Sequence, residues 1–117
     1  MSYIYSYITS FFKSAGPVTP EILSGLKSNI DSAKVVVYSK TYCPYCKSTK
    51  SLLESIGQEY KVVELDTISD GLTLQNGLLE LTGQKTVPNV FISGKHIGGN
   101  SDIQALNASG KLKELLA

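Results

Sequence analysis

Two cysteines, the only two in the chain, sit three positions apart in Lys40-Thr41-Tyr42-Cys43-Pro44-Tyr45-Cys46. Their flanks constrain the fold. Ahead of them Val35-Val36-Val37-Tyr38 is a short β-branched run that reads as a buried strand. Behind them Leu52, Leu53 and Ile56 recur on one side of a helical pattern. The first cysteine therefore falls where a strand hands over to a helix. Pro44 suits the first helical turn, where a missing N–H costs nothing. Cys43 then stands at or just before the helix start, where free backbone N–H groups and the positive end of the helix dipole favour an anion. For a cysteine that anion is the thiolate, and such positions lower thiol pKa values into a range of about 3.5–7.5. Cys46 lies one turn along the same face, placed to attack a disulfide formed at Cys43.

Totals exclude the other common uses of a cysteine pair. The 117 residues suit one domain with a core of its own. A hydrophobic content of 42% against 18% charged residues fits an ordered globular chain, and a net charge of +1 gives no global pull toward nucleic acid. A bridge closing so small a loop contributes little through loop entropy. One histidine and no third cysteine leave a tetrahedral zinc site without its soft ligands. The pair is redox-active or incidental, and the strand–CxxC–helix context favours redox.

Residues 1–17 differ from the rest. Tyr3, Ile4, Tyr5, Tyr7, Ile8, Phe11 and Phe12 form an apolar, aromatic segment whose spacing fits both alternation and a helical face. It is too short to span a bilayer, lacks positive residues ahead of its apolar run, and has no arginine. It reads as an extension packed on the domain or loosely ordered; a membrane-surface or targeting peptide is the alternative. Ser14-Ala15-Gly16-Pro17 reads as a linker, and residues 18–117 as the functional domain. There Thr19 is expected to cap a helix with Pro20 first and Ile22, Leu23, Leu26 and Ile30 as its buried stripe. Expected next are a strand over 34–39, the helix after Cys43 ending near Gly57, and a strand over 60–65. A turn over 66–71 leads to a helix bearing Leu72, Leu74, Leu78, Leu79 and Leu81, weakened by Gly77 and closed by Gly83. A hairpin pairs 89–92 with 95–97 through Ser93-Gly94. Gly98-Gly99 allows unusual backbone geometry or close approach, and Asn100, Ser101 or Asp102 caps a last helix broken at Gly110. The order α-β-α-β-α-β-β-α predicts a four-stranded mixed sheet with helices on both faces.

Cys43-Pro44-Tyr45-Cys46, Thr86-Val87-Pro88 and Gly98-Gly99-Asn100-Ser101-Asp102, in that order and spacing, resemble the dithiol glutaredoxins. The resemblance covers about Thr19 to Ala117 and implies the thioredoxin-like α/β fold. Thioredoxin itself is less similar, since its motif carries Trp before the first cysteine and Gly-Pro between the pair, and this chain has no Trp. The resemblance implies a glutathione-dependent oxidoreductase. Cys43 attacks the glutathionyl sulfur of a protein–glutathione disulfide, and either a second glutathione regenerates it or Cys46 resolves the intermediate.

It also implies a site for an extended anionic tripeptide. Lys40 is expected to serve both the thiolate and a glutathione carboxylate. Val87, before a proline that is cis in similar proteins, offers its backbone as an added strand with Thr86 and Pro88. The helix start at Gly99, Asn100 and Ser101 offers N–H groups to the γ-glutamyl carboxylate, and Asp102 meets the ammonium. Gln84 is a further contact, and Tyr45 lines the groove. His96 reads as structural; Lys47 and Lys50 read as solvated helix charges. No metal ligand is expected. Rival readings are a carrier of a [2Fe–2S] cluster ligated with glutathione, against which Pro44 speaks, and a general dithiol reductase of the thioredoxin kind. The expected partners are glutathione and glutathionylated or disulfide-containing proteins, with no nucleic acid and no clear membrane span. The chain is expected to be a monomer in the cytoplasm, or in a mitochondrion or other organelle if the N-terminal segment is a targeting signal.

Overall fold

The β-branched run before the cysteines forms β1, Val35–Ser39, and all five of its residues are buried. The computed structural model describes residues 16–117. It pairs β1 in parallel with β2, Lys61–Glu64, and antiparallel with β3, Asn89–Ile92. β3 continues through Ser93 and Gly94, both at positive φ (50° and 79°), into an antiparallel β4, Lys95–Gly98. Two residues of that hand make the tight turn whose twist matches a hairpin. The sheet order is β2-β1-β3-β4, mixed as expected. β1 and β3 are the central strands.

Because side chains alternate across a strand, β1 supplies two separate cores. Val36 and Tyr38 face Leu26, Ile30, Leu65, Leu78 and Phe91. Val35 and Val37 face Leu53, Val90, Ile92, Ile103 and Leu112. The first face is covered by α1, Pro20–Ile30, and α3, Gly71–Thr82. The second is covered by α2, Pro44–Ser55, α4, Asn100–Ser109, and the short α5, Lys111–Leu116. Apolar burial on both faces explains why β1 reads as a continuous hydrophobic run. It also fixes the end of β1, and so Cys43, against the sheet.

Most expected elements form within a residue or two of their expected bounds. Thr19 caps α1 through an Ile22 N–H to Thr19 Oγ1 bond of 3.2 Å, with Pro20 at its start. The second strand is shorter than expected, because Leu65–Thr67 turns into a 3₁₀ helix and buries Leu65. Three apolar positions of the expected helix stripes are exposed rather than buried: Ile56, Leu72 and Leu79 are 43%, 50% and 40% exposed. Gly77 does not merely weaken α3. A Cβ there would lie 2.6 Å from Leu26 Cδ1, so the glycine lets α3 approach α1. The cap of α4 also differs from the expected set. Gly99 is the N-cap, and the Asp102 carboxylate reaches back to accept its N–H at 2.9 Å. This is the carboxylate half of a capping box.

The segment of residues 1–15, with the expectations of packing or targeting placed on it, lies outside the described residues. At its border Gly16 N–H donates to Thr73 Oγ1 on α3 (2.9 Å), so the end of the expected linker is fastened to the domain.

Candidate active site

Cys43 is the N-cap residue of α2, in extended backbone (φ −87°, ψ 118°), with Pro44 as the first helical residue. Its Sγ accepts the Cys46 N–H at 3.4 Å. On its other side Sγ lies 3.8 Å from the Val87 carbonyl oxygen. Both cysteines are free thiols, Cys43 half-buried and Cys46 fully buried. Burial pushes the Cys43 thiol up. Donation from the Cys46 thiol and from the backbone N–H groups of Cys46 and Tyr45 outweighs it, with the positive charge of Lys50, and the net direction is down. Cys46 moves the opposite way. Burial raises it, and a thiolate at Cys43 raises it further, against lowering contacts from the Lys40 backbone and Ser39 hydroxyl. The two thiols are thus unequal: an accessible sulfur that ionises early and a buried one that keeps its proton.

The structure reassigns the charges around this pair. Lys50 is not a solvated helix lysine. Its Nζ lies 2.5 Å from Glu64 Oε2 at the end of β2, with both side chains about one-fifth exposed (19% and 22%). Glu64 Oε1 is buried and has no hydrogen-bond partner among the described residues. Lys40 was expected to serve the thiolate; its positive charge also helps, behind the two Thr41 contacts, to hold the Asp66 carboxyl down. Asp66 in turn holds the turn before Cys43: its carboxylate accepts the Thr41 N–H at 3.0 Å and the Thr41 hydroxyl.

Beside Cys43 is a groove of about 470 Å³ lined by Tyr45, Thr86, Val87, Pro88, Gly99, Asn100 and Ser101. These are seven of the residues expected at a glutathione site, drawn from the first turn of α2, the loop before β3 and the start of α4. The Val87–Pro88 peptide is cis. Gly98, at φ +126°, keeps the chain close to α4: a Cβ there would meet Asp102 Oδ2 at 2.2 Å. Asn100 is tied down by Thr49 Oγ1, which donates to its Oδ1 at 2.9 Å across α2 and α4, and by Gln104 Nε2 at 3.2 Å. Lys40, Gln84 and Asp102 do not line this groove. Gln84 turns its amide nitrogen inward, donating to Thr86 O and Pro88 O at 3.0 Å each, so both of its N–H donors are committed to the loop itself.

Sequence reasoning missed Thr49, Glu64, Asp66 and Gln75, whose Nε2 braces the Lys85 carbonyl at 2.8 Å. Only Lys50 carried a sequence signal, standing two helical turns after Cys43. The others contribute through contacts made only once distant segments meet. The His96 ring packs on Phe91 at 5.4 Å and its Nε2 lies 3.2 Å from Gln84 Oε1.

Residues 35–97 match the glutaredoxin family model. Glutaredoxin-C6 of Oryza sativa subsp. japonica is 57% identical over 94 residues, covering 80% of this chain and 84% of its own. Glutaredoxin-C2 of Arabidopsis thaliana is 57% identical over 90 residues, covering 77% and 81%. Among solved structures, wheat glutaredoxin superposes with a TM-score of 0.81 at 55% identity, covering 83% of this chain and 92% of that one. A buckwheat glutaredoxin–glutathione complex superposes at 0.80 with 45% identity, covering 84% and 93%.

Proposed function

The chain belongs to the glutaredoxin family, and from that premise we propose how its own residues carry the reaction. It is a glutathione-dependent thiol–disulfide oxidoreductase, with glutathione as co-substrate. Cys43 is the nucleophile. Its thiolate attacks the glutathionyl sulfur of a mixed disulfide, forming a Cys43–glutathione bond while the substrate thiolate leaves. A second glutathione thiolate then attacks the glutathionyl sulfur, releasing oxidised glutathione and regenerating the Cys43 thiolate. Alternatively Cys46 loses its proton and attacks Cys43 Sγ, expelling glutathione as thiolate and closing a Cys43–Cys46 disulfide that two further glutathiones reduce.

The observation that carries this reading is the position of Cys43 Sγ. It accepts the helix N–H of Cys46 on one side and lies 3.8 Å from Val87 O, at the edge of the groove, on the other. A nucleophile lowered in pKa thus opens onto a backbone edge that an extended tripeptide can pair with. In the proposed pose the peptide lies along Thr86, Val87 and Pro88. Its γ-glutamyl carboxylate meets the N–H groups of Gly99, Asn100 and Ser101, Asp102 faces the ammonium, Tyr45 flanks the thiol, and Lys40 approaches the far carboxylate. Gln84 supports the loop rather than the ligand.

Glutathione-coupled reduction of a glutathionylated protein tests the assignment. Wild type is active and Cys43→Ser is inert. Cys46→Ser retains the mixed-disulfide reaction and loses reduction of protein disulfides that need the intramolecular bridge. Activity surviving in Cys43→Ser sinks the assignment. Protein mixed disulfides are the proposed macromolecular substrates, residues 18–117 the catalytic domain and 1–17 an extension dispensable for chemistry. The active form is a monomer, which sedimentation of the reduced protein tests. The cytoplasm, where glutathione keeps thiols reduced, is the proposed compartment; no helix among the described residues is long and apolar enough to cross a membrane. A tagged full chain that collects in an organelle overturns that placement.

A further inference from the structure

The loop that would hold the peptide edge contains Val87, and its flanking carbonyls are both held by one nitrogen. Gln84 Nε2 donates one hydrogen bond to Thr86 O and another to Pro88 O, each at 3.0 Å. An amide NH₂ has two donors, so this group is spent. The same geometry fixes the amide's orientation, because its oxygen cannot face two carbonyls. Oε1 therefore points away from the loop, toward His96 Nε2 at 3.2 Å. To satisfy an acceptor, His96 must carry its proton on Nε2. Both the matching neutral tautomer and the imidazolium do so. His96 is itself held by packing on Phe91 in the sheet. The chain of contacts runs from β3 through the His96 ring and the Gln84 amide to the loop. It also abuts the other wall of the groove: a Cβ built on Gly99 would lie 3.9 Å from Gln84 Nε2 and 3.6 Å from Pro88 O.

We propose that Gln84 and His96 form a clamp that holds the carbonyls on either side of Val87 turned inward, leaving the Val87 backbone free to pair with glutathione. They are positioning residues that set how well the peptide binds without touching the reacting sulfur. The inference rests on the glutathione reading above. Its signature is a change confined to glutathione saturation, since the groups that activate Cys43 lie in α2 and on Lys50.

The test measures steady-state kinetics against glutathione, thermal unfolding, and the pH midpoint of Cys43 alkylation. Gln84→Met keeps length and loses both donors. His96→Phe keeps the ring on Phe91 and loses the N–H. Each should raise the glutathione KM, roughly tenfold for Gln84→Met and several-fold for His96→Phe, the loss of one or two net hydrogen bonds. kcat and the Cys43 midpoint should stay near wild type. His96→Gln, which can again present an Nε2 donor, should recover most of the loss. A Gln84→Met enzyme that is active with an unchanged KM overturns the clamp and leaves the glutathione reading standing. A KM that rises only together with a shifted Cys43 midpoint also overturns it, because the effect is then not confined to the peptide edge. Should Gln84→Met fail to fold, His96→Phe carries the same decision. A wild type that glutathione cannot turn over defeats the underlying reading instead.

Discussion

Replacing Lys50 with methionine would leave the Glu64 carboxylate inside the protein with nothing to balance it. Among the described residues Glu64 Oε1 is already buried without a partner, and Oε2 has only Lys50, at 2.5 Å. Breaking a fully buried pair from one side costs about 3–5 kcal/mol, while fully exposed pairs contribute about 0–1 kcal/mol. With the two side chains 19% and 22% exposed, water recovers part of the loss, which places the cost at about 1–3 kcal/mol. For a domain of this size that is a fall in Tm on the order of 5–15 °C. The same substitution removes the charge that favours the Cys43 thiolate, so the alkylation midpoint should rise. Glu64→Gln should do the reverse to the thiol, because Lys50 is left with no carboxylate to neutralise it. The double variant Lys50→Met/Glu64→Leu should regain most of the stability while the midpoint stays raised. Circular dichroism melting and iodoacetamide rates against pH read the two effects separately. A Lys50→Met protein with the wild-type alkylation midpoint would refute the assignment of Lys50 to the thiolate, whatever its Tm.

Asp66 is held below the usual carboxylate range, chiefly by the Thr41 hydroxyl and then by the Thr41 N–H, so its stabilising contribution is present at neutral pH and is lost as pH falls through the lowered value. Asp66→Asn should therefore flatten the acid side of the stability profile below about pH 4, read by urea unfolding at stepped pH. Thr49→Val removes a buried donor to Asn100 and should cost about 1 kcal/mol, with a modest rise in glutathione KM as Asn100 loosens; additivity with Asn100→Ala in a double-mutant cycle would disprove the coupling. Lys40→Ala should raise the glutathione KM while leaving the Cys43 midpoint almost unmoved, since the charge bearing on the thiol is that of Lys50; a midpoint shift equal to that of Lys50→Met would contradict this.

The architecture was legible because β1 and the first turn of α2 obey local rules. Val35 to Tyr38 read as a strand buried on both faces, and Pro44 as the opening of a helix, which put Cys43 at a cap. The groove was legible through motifs whose backbones do the binding: Thr86-Val87-Pro88 and the start of α4. Side chains that act on other parts of the protein were not. Gln84 reads as a ligand contact because it is polar and close to the motif, yet its amide nitrogen is consumed by Thr86 and Pro88 and its oxygen faces His96. Lys50 reads as solvated because helix charges usually are, and only the arrival of Glu64 on β2 buries it. Lys40 and Lys50 stand on either side of Cys43 in sequence, and no rule of spacing says which one the sulfur feels. Exposure at Ile56, Leu72 and Leu79 was equally hidden, because a helical stripe shows periodicity without showing where its neighbour ends.

The distribution of the core bears on when the sulfur becomes dangerous during synthesis. Cys43 is activated by N–H groups at the start of α2, but a 12-residue helix is marginal alone in water. Leu53 buries α2 in a core that holds Val35 and Val37, made earlier, but also Val90, Ile92, Ile103 and Leu112, all made later. Cys43 also meets Val87 across 44 positions, and Thr49 meets Asn100 across 51. An emerging chain is therefore expected to carry an ordinary, mostly protonated thiol until the strands and helices of its C-terminal half dock. Nascent chains stalled before Asn89 should be alkylated at the slow rate of an unstructured cysteine, and released full-length chains at the fast one. Ribosome and nascent neighbours are thus spared a reactive thiolate, because the catalyst is armed by the completion of its own fold.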